Sequence, residues 1–299
     1  MSSYLELTAR ERIRRLFDEG TFREFMPPAE RVISPHLAQL DLAVSFDDGV
    51  IVGRGTMDGR PVFGAAQEGG FLGGAVGEVH GAKLVGLLQR AVDEQAYGVL
   101  LLVESGGVRL HEANAGLIAV SEVMRAILDT RAAGIPVVAL IGGANGCFGG
   151  MGIAARCTNA IVMSEEGRLG MSGPEVIETT HGVEEFDSRD RALVWRTTGG
   201  KHRYLLGDCQ ALVADDIAAF RQAAMQALSA SRQRTIGLTL PDLEAEQATL
   251  ERRLHDHGGE SEPLQIWRRL GFAEPHTIPM LEADEFVRLA AGHRAGEEQ

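Results

Sequence analysis

The stretch Gly98-Val99-Leu100-Leu101-Leu102-Val103-Glu104-Ser105-Gly106-Gly107-Val108-Arg109 passes from a wholly apolar run directly into a glycine turn. An uninterrupted Val/Leu run of this length reads as a strand buried on both faces. Just upstream, Leu84, Leu87, Leu88, Ala91 and Val92 recur at helical spacing within residues 77–95, so a helix feeds the strand. The unit then repeats. Residues 113–133 are helical in pattern and Ile135-Pro136-Val137-Val138-Ala139-Leu140-Ile141 is the next strand. It runs into Gly142-Gly143-Ala144-Asn145-Gly146-Cys147-Phe148-Gly149-Gly150-Met151-Gly152. A third helix opens at Gly149 and leads to the strand Asn159-Ala160-Ile161-Val162-Met163. Helices alternating with fully apolar strands predict α/β layering around a parallel sheet, with both glycine clusters at one sheet edge.

Working outward, Val50–Gly55 and Pro61–Ala66 flank the turn Met57-Asp58-Gly59-Arg60 and read as a β-hairpin, preceded by polar/apolar alternation over Asp41–Asp48. Residues 1–40 read as a polar helical lead-in broken by Pro27-Pro28 and Ser34-Pro35. Downstream, Asp215–Arg234 and Glu244–His257 are helical in pattern, and the end from Arg294 is expected to fray.

With 29 Lys+Arg against 42 Asp+Glu among 299 residues, the net charge of −13 argues against a nucleic-acid partner. No apolar stretch approaches the roughly 20 residues of a membrane span, and the charged run Arg10–Arg15 replaces the apolar segment of a secretory signal. A cytoplasmic protein without membrane contact is expected. Cys147, Cys157 and Cys209 form no C-x-x-C pair, so no metal site is expected and all three read as buried thiols.

Glycine turns beyond the carboxyl ends of adjacent parallel strands place backbone N–H groups where ligands bind in such sheets. Two of them together can supply two donors to one developing oxyanion. The plainer reading is that the glycines only permit tight turns and close helix packing. A dinucleotide site is disfavoured because the strand end at Val162-Met163 is itself apolar and bears no acidic residue. A phosphate loop is excluded because neither Lys83 nor Lys201 sits in G-K-[ST].

Four ordered motifs carry a resemblance: Phe71-Leu72-Gly73-Gly74-Ala75-Val76-Gly77, Ser105–Ala113, Cys147-Phe148-Gly149-Gly150 and Leu169–Glu178. Together they resemble the carboxyltransferase β-subunits of acyl-CoA carboxylases, members of the crotonase-like superfamily. Thr197-Thr198-Gly199-Gly200-Lys201-His202-Arg203 and Leu206-Gly207-Asp208 bring the chain nearer to the β subunits of biotin-independent malonate decarboxylases. The resemblance implies a fold of repeated β-β-α units in a superhelix, with parallel sheet layers flanked by helices. It divides the chain into a lead-in at 1–40, a crotonase-like carboxyltransferase-type domain at 41–235 and a C-terminal helical extension at 236–299. Two departures are informative. No Cys precedes Cys147, so the four-cysteine zinc ribbon of bacterial acetyl-CoA carboxylase is missing. Gly152-Ile153-Ala154-Ala155 also lacks the carboxylate that the hydratase branch carries there.

The reaction implied is loss of carbon dioxide from a malonyl thioester, with no cofactor covalently bound to this chain. The substrate rides on the prosthetic group of an acyl carrier protein. The implied partners are a homologous γ subunit, that carrier protein and the subunit that transfers acyl groups to the carrier. The matching oxyanion donors are Gly149 and Gly150, with Gly107 and Val108 from the first cluster. His111 and Glu112 are candidate proton donors, against a plainer reading of Glu112 as a helix cap and His111 as a packed neutral side chain. Gly106, Arg109, Asn145, Ser172 and His80 are candidates for holding the substrate, with Arg109 alternatively bracing its loop. Arg10, Arg12, Arg14 and Arg15 read as a docking face for an acidic carrier or as an ordinary solvated helix face. A biotin-dependent acyl-CoA carboxyltransferase β subunit and a non-catalytic scaffold that binds the carrier remain as alternatives.

Overall fold

The computed structural model describes residues 2–233, 238–260 and 262–295. Among these, seven strands form one sheet in chain order: β1 (Arg23–Glu24), β2 (Val50–Met57), β3 (Arg60–Gln67), β4 (Gly98–Leu102), β5 (Val137–Ile141), β6 (Ala160–Ser164) and β7 (Ala211–Val213). The β2–β3 pair is the expected hairpin. Met57 pairs with Arg60 across Asp58 and Gly59, both at positive φ as a two-residue turn of right-twisting strands requires. From β3 onward every pairing is parallel.

The helices before the sheet proper are α1 (Ala9–Leu16) and α2 (Pro35–Gln39). The crossovers are α3 (Glu78–Asp93), α4 (Asn114–Ala132) and α5 (Gly149–Arg156), followed by α6 (Pro174–His181), α7 (Arg191–Thr198) and α8 (Gly200–Leu205) between β6 and β7. After the long strands the chain makes a second set of short pairings, Val76 with Val108, Ser105 with Cys147 and Cys147 with Leu169. These give each unit the β-β-α form that the resemblance implied. Side chains alternate across the sheet with period two. Val99, Leu101, Val137, Ala139, Ile161 and Met163 enter the core beneath α3 and α4. Leu100, Leu102, Val138, Leu140 and Val162 enter the opposite core, covered by α1 and α9 (Ile217–Gln233).

The lead-in is part of this second core rather than an appendage. Thr8 and Glu11 form a reciprocal capping box that starts α1, and Tyr4, Ile13, Leu16 and Phe17 are buried beneath it. The C-terminal region, α10 (Leu240–His257), α11 (Pro263–Arg269) and α12 (Ala283–Ala290), likewise sends Trp267 and Phe286 into the first core. The expected three-part division is therefore not a division of cores. Its 235/236 boundary, Arg234 and the last four residues lie outside the described residues.

The alternation over Asp41–Asp48 makes no strand, because Asp47 and Asp48 turn inward to hydrogen bonds and ion pairs. Cys147 and Cys209 are buried, whereas Cys157 is only half-buried. Among the described residues no helix is long and apolar enough to cross a membrane.

Ile13→Ala removes a fully buried side chain from under the sheet and is expected to lower the unfolding free energy by about 2–5 kcal/mol. Urea denaturation checks this, and an unchanged midpoint would mean that the lead-in is not integral to the core.

Candidate active site

β4 and β5 end side by side, so the glycine turns that follow them meet. Ser105 N–H donates to Gly146 O (2.8 Å) and Phe148 N–H donates to Ser105 O (2.8 Å), stitching the turns together. Gly107 and Gly149 hold φ of +113° and +57°, a region that side chains with a Cβ rarely adopt. A Cβ on Gly107 would stand 3.0 Å from both Gly149 Cα and Gly150 N, and one on Gly149 would stand 3.0 Å from Gly106 O. Contact between the two turns requires glycine at both positions.

The amides expected as oxyanion donors divide into two kinds. Gly149 N–H donates to Met171 O (2.9 Å) and Gly107 N–H donates to Ser105 Oγ (3.1 Å), so both are committed to the scaffold, a correction to the expectation. Among the described residues neither Val108 nor Gly150 N–H donates a hydrogen bond. Gly150 is in the first turn of α5, where amides have no intrahelical acceptor. The Val108 side chain packs beside it, 3.2 Å from where a Gly150 Cβ would stand. Two amides in contacting turns are thus left for a ligand oxygen.

Three candidates belong to the scaffold instead. Arg109 is fully buried, donating to Asp48 (2.9 Å) and Glu112 (2.9 Å), so it braces its loop and meets no ligand. Against the upward pull of burial, the Glu78 N–H, the Ser34 hydroxyl and the Arg109 guanidinium hold Glu112 below the ordinary glutamate range. It is a locked carboxylate, not a proton donor. His80 is also buried, with Nδ1 on Asp48 O (3.1 Å) and Nε2 on Gln67 (3.0 Å). Burial, Arg109 and Lys83 depress its pKa to about 3, so it carries no charge with which to hold a carboxylate. Burial also pushes Asp48 upward, against the pull of Arg109.

The remaining candidates border the turns. His111 is exposed on the short helical turn after Arg109, Ser172 follows the Met171 carbonyl that holds Gly149, and Gly106 is exposed. Asn145 is half-buried, its Nδ2 donating to Gly69 O (2.6 Å).

Sequence reasoning missed Glu104. Its carboxylate accepts from Asn145 N–H (3.2 Å) and pairs with Arg12, tying both turns to α1. The available signal was an acid closing an apolar strand immediately before the glycines. Of the four arginines expected on one helix face, Arg12 is buried on Glu104 and Arg10 is paired with Glu24 (2.5 Å) and Asp47 (3.1 Å), whereas Arg14 and Arg15 are exposed.

Residues 5–249 match the carboxyl transferase domain family. The chain is 42% identical over 308 residues to a malonyl-S-ACP:biotin-protein carboxyltransferase of Malonomonas rubra, covering 96% of this chain and 95% of that protein. It is similar to a chain of a Pseudomonas malonate decarboxylase hetero-tetramer in complex with malonate (TM-score 0.81, 41% identity, 90% of this chain and 97% of that one). It is also similar to a chain of a Pseudomonas malonate decarboxylase hetero-dimer (TM-score 0.62, 40% identity, 76% and 88%).

Arg109→Met leaves Asp48 and Glu112 buried without their cation and is expected to cost roughly 3–5 kcal/mol of stability. Chemical denaturation reads this directly, and a loss below about 1 kcal/mol, the worth of an exposed pair, would contradict the bracing role.

Proposed function

We propose a reaction from one premise: the chain belongs to the carboxyl transferase domain family. It is the β subunit of a malonate decarboxylase, and with a homologous γ subunit it converts a malonyl thioester on an acyl carrier protein to the acetyl thioester and carbon dioxide. Similarity to the two Pseudomonas malonate decarboxylase chains supports this reading. The observation that carries it is the pair of unbonded amides at Val108 and Gly150.

When the bond between the carboxylate carbon and the malonyl methylene breaks, its electron pair moves into the adjoining carbonyl and an enolate oxygen forms. The two amides receive that charge. Neither can titrate, and each is fixed before reaction, so little reorganisation is needed as charge develops. The carbanion carbon then takes a proton, from His111 or from water that His111 orders. Ser172 and Asn145 hold the departing carboxylate as neutral groups. A cation there would stabilise the ground state more than the transition state, in which the carboxylate charge has left.

The γ subunit supplies the other wall. Leu110, Leu117, Ile118 and Met171 stand exposed around the turns, an apolar surface suited to a partner. The Pseudomonas relatives are themselves hetero-oligomers. The reading includes a cytoplasmic location, which the three free thiols support.

A second reading follows from the name of the Malonomonas relative, in which the carboxyl group passes to a biotin-bearing protein. The two separate in one assay of the assembled complex on malonyl carrier. Carbon dioxide release undiminished by avidin is the expected result, and avidin-blocked release assigns the transferase reaction.

The donors are tested in the background Val120→Ala, because Val120 Cγ1 lies 2.7 Å from where a Gly150 Cβ would stand. Gly150→Pro removes the N–H at a first-turn position that proline tolerates. It is expected to lower kcat about 10²–10³-fold, while Gly150→Ala in the same background keeps the amide and most of the rate. Equal rates in the two variants would remove Gly150 from the mechanism.

A further inference from the structure

Arginines of this acidic chain gather in a cleft formed far from α1 in sequence. A cleft of about 620 Å³ lies between α5 and α10. Its charged lining is Arg131, Arg156, Arg203 and Arg253 against Asp208 and Glu246, four cations facing two anions in a chain of net charge −13. Asp208 alone serves three of them, Arg156 (2.6 Å), Arg203 (3.1 Å) and Arg253 (3.3 Å). The buried Nε atoms of Arg131, Arg203 and Arg253 have no acceptor. Four guanidinium groups against two carboxylates leave the lining of the cleft with a net positive charge.

The outer wall is equally incomplete. None of the eighteen residues of α10 is buried. Leu240, Leu243, Leu250 and Leu254, spaced along one stripe of the helix, are between 46% and 72% exposed. An exposed leucine stripe bordering a surplus of guanidinium groups fits a partner surface that is apolar at its centre and acidic around it. Gly170 and Met171 are among the residues that line the cleft, and the Met171 carbonyl holds Gly149 beside the two unbonded amides.

We propose that the cleft between α5 and α10 is the docking surface for the carrier protein that presents the malonyl thioester, engaged through an acidic, apolar-centred face of that carrier. The inference rests on the decarboxylase reading for the identity of the occupant and on charge complementarity for its chemistry. A second copy of this chain would bring the same cationic surface against itself. Of the exposed apolar residues that suit the γ subunit, Met171 also lines the cleft, whereas Leu110, Leu117 and Ile118 do not.

The experiment compares two substrates in the assembled complex: malonyl carrier protein, and the same malonyl group on free pantetheine. The variant Arg156→Gln/Leu254→Glu leaves Asp208 with two arginines and alters no residue of the glycine turns. Its KM for malonyl carrier is expected to rise at least about tenfold, the scale of losing one or two charged contacts, with kcat/KM on malonyl pantetheine within about twofold of wild type. The wild-type rate on carrier should also fall with added salt more steeply than the variant's. Equal losses on both substrates, or no loss on either, would overturn the proposal. So would disassembly of the hetero-oligomer, which assigns the cleft to the γ subunit, or loss of self-association, which assigns it to a second copy. If the wild-type complex decarboxylates neither thioester, the decarboxylase reading fails instead. Fluorescence anisotropy of labelled carrier against wild type and variant then still decides the docking: weaker binding to the variant sustains it and equal binding sinks it.

Discussion

The contact between Gly107 and Gly149 is the constraint on which the site depends. Two hydrogen atoms stand where side chains would, and because of that one turn lies against the other at van der Waals distance. The cost is conformational, since glycine loses more backbone freedom on folding than any other residue. What offsets it is the sheet beneath. β4 and β5 are buried on both faces and hydrogen-bonded in register, so the turns start from fixed points. Because the turns meet, Val108 and Gly150 stand in one place, and because Met171 and Ser105 take the neighbouring amides, these two are left over.

Buried ions hold the turns in place. Arg109 follows Val108 directly, so fixing its guanidinium on Asp48 and Glu112 fixes the peptide that bears one donor. Glu104 precedes Ser105 directly, and its bonds to Arg12 and to Asn145 N–H anchor the strand end to α1 and to the second turn. Buried ion pairs of this kind contribute little net stability, because desolvation consumes most of their attraction. Their effect is directional: a charge that cannot be left unpaired accepts only one arrangement of its neighbours. The scaffold therefore spends charged residues where an apolar core would stabilise as well but would orient the backbone less strictly.

This also explains which parts were legible in the sequence. Val99–Val103 and Val137–Ile141 announce strands because burial on both faces leaves no polar position in the run, and Asp58-Gly59 announces its turn through residues that tolerate positive φ. Gly107 and Gly149 are visible for the same reason. What the lead-in covers is not legible in the sequence, because Tyr4, Ile13 and Leu16 are scattered among charges and a sparse apolar stripe does not say what it packs against. The choice of free amides was invisible, since it depends on a carbonyl more than twenty residues away in the chain. Arg109, Glu112 and His80 look like ligand-facing groups for a similar reason. A titratable residue beside a glycine turn carries no mark of which way it points, and here each points into a network of its own.

The distribution of charge then separates two tasks that conflict. Attracting an acidic partner calls for a strong positive field, whereas releasing carbon dioxide calls for a weak hold on the carboxylate that departs. Arg109, the cation nearest the donors in sequence, is neutralised by two carboxylates, so the turns offer amide dipoles and little net positive charge. The arginines that line the cleft come from four other places, Arg131 on α4, Arg156 at the end of α5, Arg203 on α8 and Arg253 on α10, and share Asp208 and Glu246. Six residues of helix separate Gly150 from Arg156, a rise of about 9 Å, which is close to the distance over which physiological salt screens exposed charges. Distance alone weakens what a charge at the end of α5 contributes at its first turn. One short helix thus carries an uncharged amide at its first turn and a paired cation at its last.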